Sequence, residues 1–531
     1  MVRPRGGIAA APYHYLGTST GLDDAVEGLT LVEDLRFGTD ATGGTEQITD
    51  HGALAVHFSP LQGDYNALGE IVGGAGTVTI NSEVQNYAAS FTPENHVLEP
   101  DGLRLQVTLG AGHWNTYLRG NLTSSALNGL YIAAPGDATP TATNISEIGL
   151  ASGDLATIQV GDLVTGANYG LMAVDEINAG AGTITFRAVT SGVKAGFKGN
   201  WHLSFTSMVW APVAADIGFS TASTAWFAAP LSPRVVPGMQ VRGVQRGAGG
   251  NGTPRNRTLA KVISVAADRM SCMFDRPLNF DHQVTVSGYG GIIFLPEVTA
   301  GQIWSKASYG PGRRGITAQA IRVEFTMPDQ PDAPPTNVWT RSAVESYMTA
   351  YPEMLFGYWP AIWLYLFRSG MPARFPLPWS EVDILELFGR PDRGPRVWTG
   401  NLHNTPYTRE VVPAPLPGAS WRPSAASGYA LTPNSVDLDV GASYSDGTRH
   451  SVAVVWTATR VVHYLDDAPL CESAWPITSP APHQLGLNVA VGNITAGSCP
   501  LLAFPQRDSD VTGQYLTIHR VQSWQSRGRV V

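Results

Sequence analysis

Short runs in which apolar residues alternate with polar ones, broken by glycine and proline, recur along most of the chain and predict β-strands. A clear case follows a turn at Asp101-Gly102, where Leu103, Leu105 and Val107 alternate with Arg104 and Gln106. Residues 1 to about 30 lack such a pattern and read as a loosely structured lead-in rich in Gly, Ala and Thr. One segment has helical spacing instead. In Arg341–Met348 the apolar residues Val344, Tyr347 and Met348 fall at i, i+3 and i+4, ahead of Pro352. This predicts a surface helix packed on the strands.

Residues 112–300 have a different texture, with a diverged internal repeat. One copy runs VGDLVTG, VDEINAGAGTITF and GVKAGFKGNWHLSF, the other PGMQVRG, VISVAADRMSCMF and FDHQVTVSGYGGIIF. Each has a glycine turn, a strand, a hairpin and a closing strand ending in Phe, so two copies of one small β module are expected. They loosely resemble short β repeats of phage tail and other extracellular proteins.

Composition narrows the picture. The 58 glycines and 38 prolines, set between runs rich in Val, Ile, Thr and aromatics, fit an all-β protein with many turns. A chain of 531 residues has room for two or three domains. A net charge of −9 argues against a nucleic-acid partner, which requires a basic footprint. The longest apolar runs fall short of about eighteen residues, so no spanning helix is expected. Two arginines near the N-terminus are followed by no continuous apolar stretch, unlike a secretory signal. Cys272, Cys471 and Cys499 have no metal-ligand spacing; Cys471 and Cys499 either pair or remain, with Cys272, buried thiols.

The chemistry concentrates between residues 358 and 404. In Tyr358–Phe367, alternation puts Trp359, Ala361, Trp363, Tyr365 and Phe367 on one face and Ile362, Leu364 and Leu366 on the other. The aromatic row is either interior packing or a platform for sugar rings. Next comes Trp379-Ser380-Glu381-Val382-Asp383-Ile384-Leu385-Glu386, with three carboxylates in a hydrophobic strand. Strict alternation points Glu381 and Asp383 one way and Glu386 the other. One extra residue at Ile384-Leu385, a β-bulge, returns all three to one face. That face would suit retaining glycoside hydrolysis, with one carboxylate as nucleophile and the other as acid and base. The intervening Asp383 would steady the nucleophile and raise the acid's pKa by like-charge repulsion. The plainer reading is an exposed strand with solvated acids.

WPAIW followed by EVDILE resembles glycoside hydrolase family 16, the laminarinase-like group. Further blocks resemble it in order: YAASFTPENHVLEPDGLRLQV, AQAIRVEFTMP (with Arg322 and Glu324), VWTGNLHN, GTRHSVAVVWTATRVVHYLDDAPL, HQLGLNVAVGN and QYLTIHRVQSWQ. The resemblance covers about 31–111 and 301–526. It implies an all-β, concanavalin-like β-jelly-roll sandwich built from 31–111 and 301–531, interrupted by the 112–300 insertion. It also implies that Glu381 is the nucleophile, Asp383 the assisting acid and Glu386 the acid/base, with Trp359 and Trp363 at sugar subsites. AQAIRVEFTMP would be the strand leading into the cleft.

Three departures matter. Trp379 either forms a shifted sugar platform or only packs. Thr517 stands where the family often has an aspartate for structural calcium, which leaves that calcium possible but doubtful; no other metal and no cofactor is expected. Gln302 or its neighbours replace the family's arginine, which leaves the usual glucan specificity open. His403 either contacts substrate or nucleophile, or is a satisfied interior histidine. Asn488 and Asn493 are expected to make backbone-turn hydrogen bonds, with sugar contact as the alternative.

The resulting expectation is an endo-acting retaining hydrolase of a β-linked polysaccharide, β-1,3-glucan-like or from a bacterial or algal surface. It would be extracellular or virion-associated, for instance a phage-borne depolymerase. The alternative is a non-catalytic carbohydrate-binding or adhesion protein on the same sandwich. Oligomeric state is not readable from the sequence.

Overall fold

The computed structural model describes residues 21–60, 89–122, 143–144, 148–166, 171–188, 201–213, 223–243, 245–246, 252–253, 260–276, 291–310, 316–336, 340–366, 380–404, 414–415, 420–422, 435–457, 460–474, 483–492 and 504–527. Strands dominate, and nearly all pair antiparallel. The fold is an all-β sandwich carrying a further sheet.

The centre of the first sheet runs in the order Ala468–Ala474, Arg460–Leu465, Arg449–Thr457, Ile316–Thr326, Tyr515–Arg527, Gly102–Leu109. The second runs Ser420–Arg422, Ser435–Asp439, Val397–Asn404, Ser380–Glu386, Tyr358–Leu366, His483–Val491, Gln302–Ser305, Phe58–Ser59. Alternation explains why the two sheets face each other. Leu103, Leu105, Ile321, Val323 and Phe325 from the first bury against Ile362, Leu364, Leu485 and Leu487 from the second. The Asp101-Gly102 turn is shifted by one residue: Glu99 pairs with Gly102, leaving Pro100-Asp101 as the connection.

The chain changes sheets at Gly301. Val298–Ala300 pairs within the first sheet and Gln302–Ser305 within the second. A Cβ at Gly301 would lie 2.9 Å from the Asn95 carbonyl oxygen and from Leu105 Cα, so only glycine permits the crossing.

The expected lead-in holds a short helix, Leu22–Val26, whose Leu22 is buried against Ala320, Ala453, Val455, Val462 and Tyr464 on the first sheet's outer face. That face also carries Arg322, which forks onto Asp467 (2.9 and 3.0 Å) and reaches Glu324 at 2.7 Å. Arg322 and Glu324 therefore do not lead into a cleft with the acids. Their strand is central in the opposite sheet, and the residues that alternate with them, Ile321, Val323 and Phe325, take the interior side.

Asp466 and Asp467 form a two-residue hairpin turn at φ +48° and +62°, where an Asn-Gly or Asp-Gly pair is usual. Local bonds compensate: Asp466 accepts from Ser451 N at 2.9 Å and contacts His450 Nδ1 at 2.7 Å. On its other edge His450 meets Asp446 at 3.1 Å. Its bond to Asp466 is the main reason the His450 pKa is raised, against a smaller opposing effect of burial. Protonated His450 therefore adds stability that is fully present below about pH 6.5 and is lost as pH rises through the raised value. Denaturant unfolding of wild type and His450→Gln should differ by about 0.5–1 kcal/mol at pH 6. The curves should converge at alkaline pH.

The third sheet spans Thr116–Leu122 to Ile292–Leu295. In the first repeat copy, Asp162–Gly166 pairs with both Leu171–Asn178 and Trp201–Ala211, and Leu171–Asn178 pairs with Thr183–Ala188. In the second, Gln240–Gly243 pairs with both Ala260–Val265 and Ile292–Leu295, and Ala260–Val265 pairs with Ser271–Phe274. Even a register shift recurs, after Val174 in one hairpin and after Val262 in the other. The two closing strands pair with each other, Trp210 opposite Ile293.

The helix forms over Arg341–Ala350, with the Thr340 hydroxyl accepting from Ala343 N as its N-cap. Val344 and Tyr347 bury against Ala333, Met354 and Phe356. Met348 instead contacts Arg119 of the third sheet, so the helix bridges the sandwich and that sheet rather than lying on the sandwich alone. Cys272 and Cys471 are both buried, and Cys499, the candidate partner of Cys471, lies outside the described residues. No helix among the described residues is long and apolar enough to cross a membrane.

Candidate active site

The Ser380–Glu386 strand lies between Tyr358–Leu366 and Val397–Asn404. Toward the first neighbour, Glu381 pairs with Tyr365, Asp383 with Trp363, Leu385 with Ile362 and Glu386 with Ala361. Ile384 is the extra residue. Toward the other neighbour, Asp383 pairs with Asn401 and Glu386 with Thr399, so Ile384 and Leu385 together oppose Gly400 alone. Directly paired residues point to the same side of a sheet. Glu381, Asp383 and Glu386 therefore share the face of Tyr365, Trp363 and Ala361, while Ile384 and Leu385 are both fully buried in the core.

The bulge follows from the pattern itself. Without it, Glu386 or the pair Glu381 and Asp383 would enter the hydrophobic interior, where an unpaired charge is strongly unfavourable. With it, Ile384 and Leu385 enter instead. Asp383 and Glu386 are still 3% and 8% exposed, and Glu381 is half-buried.

Trp359 and Trp363 stand on the same face, both half-buried. The Trp359 indole donates to Glu386 Oε1 at 2.9 Å and its ring lies 5.0 Å from Phe388. Trp363 donates to Asn488 Oδ1 at 2.8 Å and meets Trp304 edge-on at 4.8 Å. Asn488 thus sits inside the His483–Val491 strand, opposite Ala361 and Gln302, not at a turn. His403 is in register with Glu381, although its side chain, like the whole of Trp379 and Asn493, falls outside the described residues.

Trp304 and Gly486 were not expected at the site. Gly486 leaves the space for both tryptophans: a Cβ there would lie 2.7 Å from the Trp304 ring and 2.8 Å from Trp363 Nε1. A lone glycine inside an otherwise continuous strand pattern was the available signal. Gln302 is 1% exposed, and among the described residues neither atom of its amide has a hydrogen-bond partner. Thr517 is buried in the first sheet. Among the described residues no three His, Cys, Asp or Glu side chains converge as a metal site.

No family model and no curated protein matches the chain. Among solved structures it is similar to a laminarinase from a Flavobacterium species, 16% identical over 43% of this chain and 74% of that one, TM-score 0.27. It is similar to the laminarinase catalytic domain of Thermotoga maritima, 17% identical over 45% and 72%, TM-score 0.27. A third is an immunostimulatory antigen and pseudo β-1,3-glucanase of Mycobacterium tuberculosis, 16% identical over 43% and 70%, TM-score 0.25. Likeness at this level does not assign chemistry, which rests on strand register and side chains.

Proposed function

We propose that the protein is a retaining, endo-acting glycoside hydrolase of a β-linked polysaccharide. The observation that supports this reading is the bulge at Ile384-Leu385, which gathers three carboxylates on one tryptophan-bearing face. Glu381 attacks the anomeric carbon and forms the glycosyl-enzyme bond as the glycosidic C–O bond breaks. Glu386 gives its proton to the departing oxygen, then takes one from the water that hydrolyses the intermediate. Asp383, between them, keeps Glu381 oriented. Trp359 and Trp363 offer apolar faces to pyranose rings, and Trp379 and His403 are the further candidates for substrate contact. A β-1,3-glucan or a bacterial or algal surface polysaccharide is the substrate class, met outside the cell or from a virion.

The test is release of new reducing ends from a panel of β-glucans, galactans and bacterial exopolysaccharides. Binding without any release, across the panel, would make the protein a carbohydrate-binding sandwich instead.

The Trp359 bond yields a separate prediction. Trp359→Phe removes this donor and keeps a ring, and should lower kcat/KM on the order of 10-fold in initial-rate measurements of reducing-end release.

A further inference from the structure

We infer that Trp398, seated over Gly400, is a positioning residue that holds the extra residue of the 380–386 strand and thereby the relative placement of Glu381 and Glu386. This rests on the hydrolase reading for its consequence, but its geometry is independent of it. A bulge takes backbone groups out of the ladder. Here it does so inside the hydrophobic core, where Ile384 and Leu385 are fully buried and an unpaired carbonyl is costly. The Ile384 carbonyl is not left unpaired: it accepts from Trp398 Nε1 at 3.0 Å.

The indole reaches that carbonyl because position 400 has no side chain. Trp398 and Gly400 are two residues apart on one strand and so face the same side, inward. A Cβ at 400 would fall 2.3 Å from Trp398 Cη2 and 2.7 Å from Cζ2. The ring therefore occupies the place of the missing side chain. Gly400 is also the single residue opposite the two-residue bulge, so the space is opened at the point where the extra residue must be accommodated.

A wall from the opposite sheet closes the arrangement. His463, on Arg460–Leu465, meets the Trp398 ring edge-on at 5.2 Å and 62°, and its Nδ1 lies 3.6 Å from Cys471 Sγ. Burial lowers the His463 pKa to about 4, so it packs against Trp398 as a neutral ring. The indole is thus held between its own strand and the facing sheet. On the other side of the bulged segment, Asp383 and Glu386 flank Ile384 and Leu385 directly. A bulge displaced by one residue would turn one of these acids inward.

Trp398→Phe removes the donor and keeps an aromatic ring; Gly400→Ala keeps the donor and displaces the ring. Both are expected to fold, to lower kcat about 10–100-fold and to leave KM within about twofold. Trp456→Phe, an equally buried tryptophan of the first sheet, should reduce stability without changing kcat below its unfolding temperature. Amide hydrogen exchange, measured without substrate, gives the second readout: the 384–386 amides should exchange faster in both test variants and unchanged in Trp456→Phe. Unaltered exchange with a wild-type kcat in Trp398→Phe would overturn the clamp. If wild type hydrolyses nothing but the test variants still loosen 384–386, the clamp stands and the hydrolase reading fails.

Discussion

Glu381→Gln should lower hydrolysis on the order of 10³-fold or more while leaving polysaccharide binding and the unfolding midpoint close to wild type. The amide is nearly isosteric but cannot form the glycosyl-enzyme bond, and its position on the shared face, opposite Tyr365 and half-buried, demands no repacking. The companion substitution separates the two glutamates. Glu386→Ala should be equally poor on polysaccharide, yet regain its first step on an aryl glycoside whose leaving group needs no proton. Glu381→Ala should not. Added azide should restore turnover to Glu381→Ala by occupying the vacated space on the nucleophile's side, yielding a glycosyl azide of inverted configuration. A Glu381→Gln protein that still hydrolyses at a tenth of the wild-type rate would remove Glu381 from the mechanism.

The largest expected loss of stability lies in the insertion. Asp162 is fully buried, and its carboxylate accepts from Gln159 N at 2.8 Å, from Arg234 Nε at 2.9 Å and from the Tyr117 hydroxyl. Arg234 also covers the Tyr117 ring, 4.4 Å from its centroid. Burial raises the Asp162 pKa, and these bonds only partly bring it back. The ionised cluster is therefore held at a desolvation cost. Removing Asp162 takes the shared carboxylate from Arg234 and Tyr117, both half-buried, and among the described residues leaves Arg234 only the Thr157 carbonyl at 2.9 Å, so Asp162→Ala should lower stability by about 3 kcal/mol. Replacing the set together, as Tyr117→Phe, Asp162→Leu and Arg234→Met, should recover most of that loss, because the desolvation cost disappears with the charges. Denaturant unfolding of the single and triple variants checks both. Equal losses would mean that the cluster's worth lies in packing rather than in its charges.

Much of the site was legible in the order of residues. Three acids at 381, 383 and 386 among apolar neighbours admit one inexpensive solution in a sheet, and the adjacent apolar pair Ile384-Leu385 marks where the extra residue goes. The helix at 341–350 was equally local, set by the spacing of its apolar residues. Three particulars were not. Arg322 and Glu324 occur in a segment whose text suits either sheet, and only its pairing with 449–457 and 515–527 put them on the far face. No local pattern reveals that the Trp363 indole will reach Asn488. Trp398 and His463 look like ordinary interior residues until the two sheets close on each other.

Residue order alone set which residues alternate and where strands stop, and it marked 381–386 as the segment where one extra residue would gather three acids, because these follow from side-chain direction and the cost of burying charge. Tertiary structure alone decided which strands became neighbours, which sheet each joined and what meets the bulge from behind. Those outcomes depend on contacts between segments 60 or more residues apart, such as Trp398 with His463, whose complementarity is one of shape and leaves no local period to read.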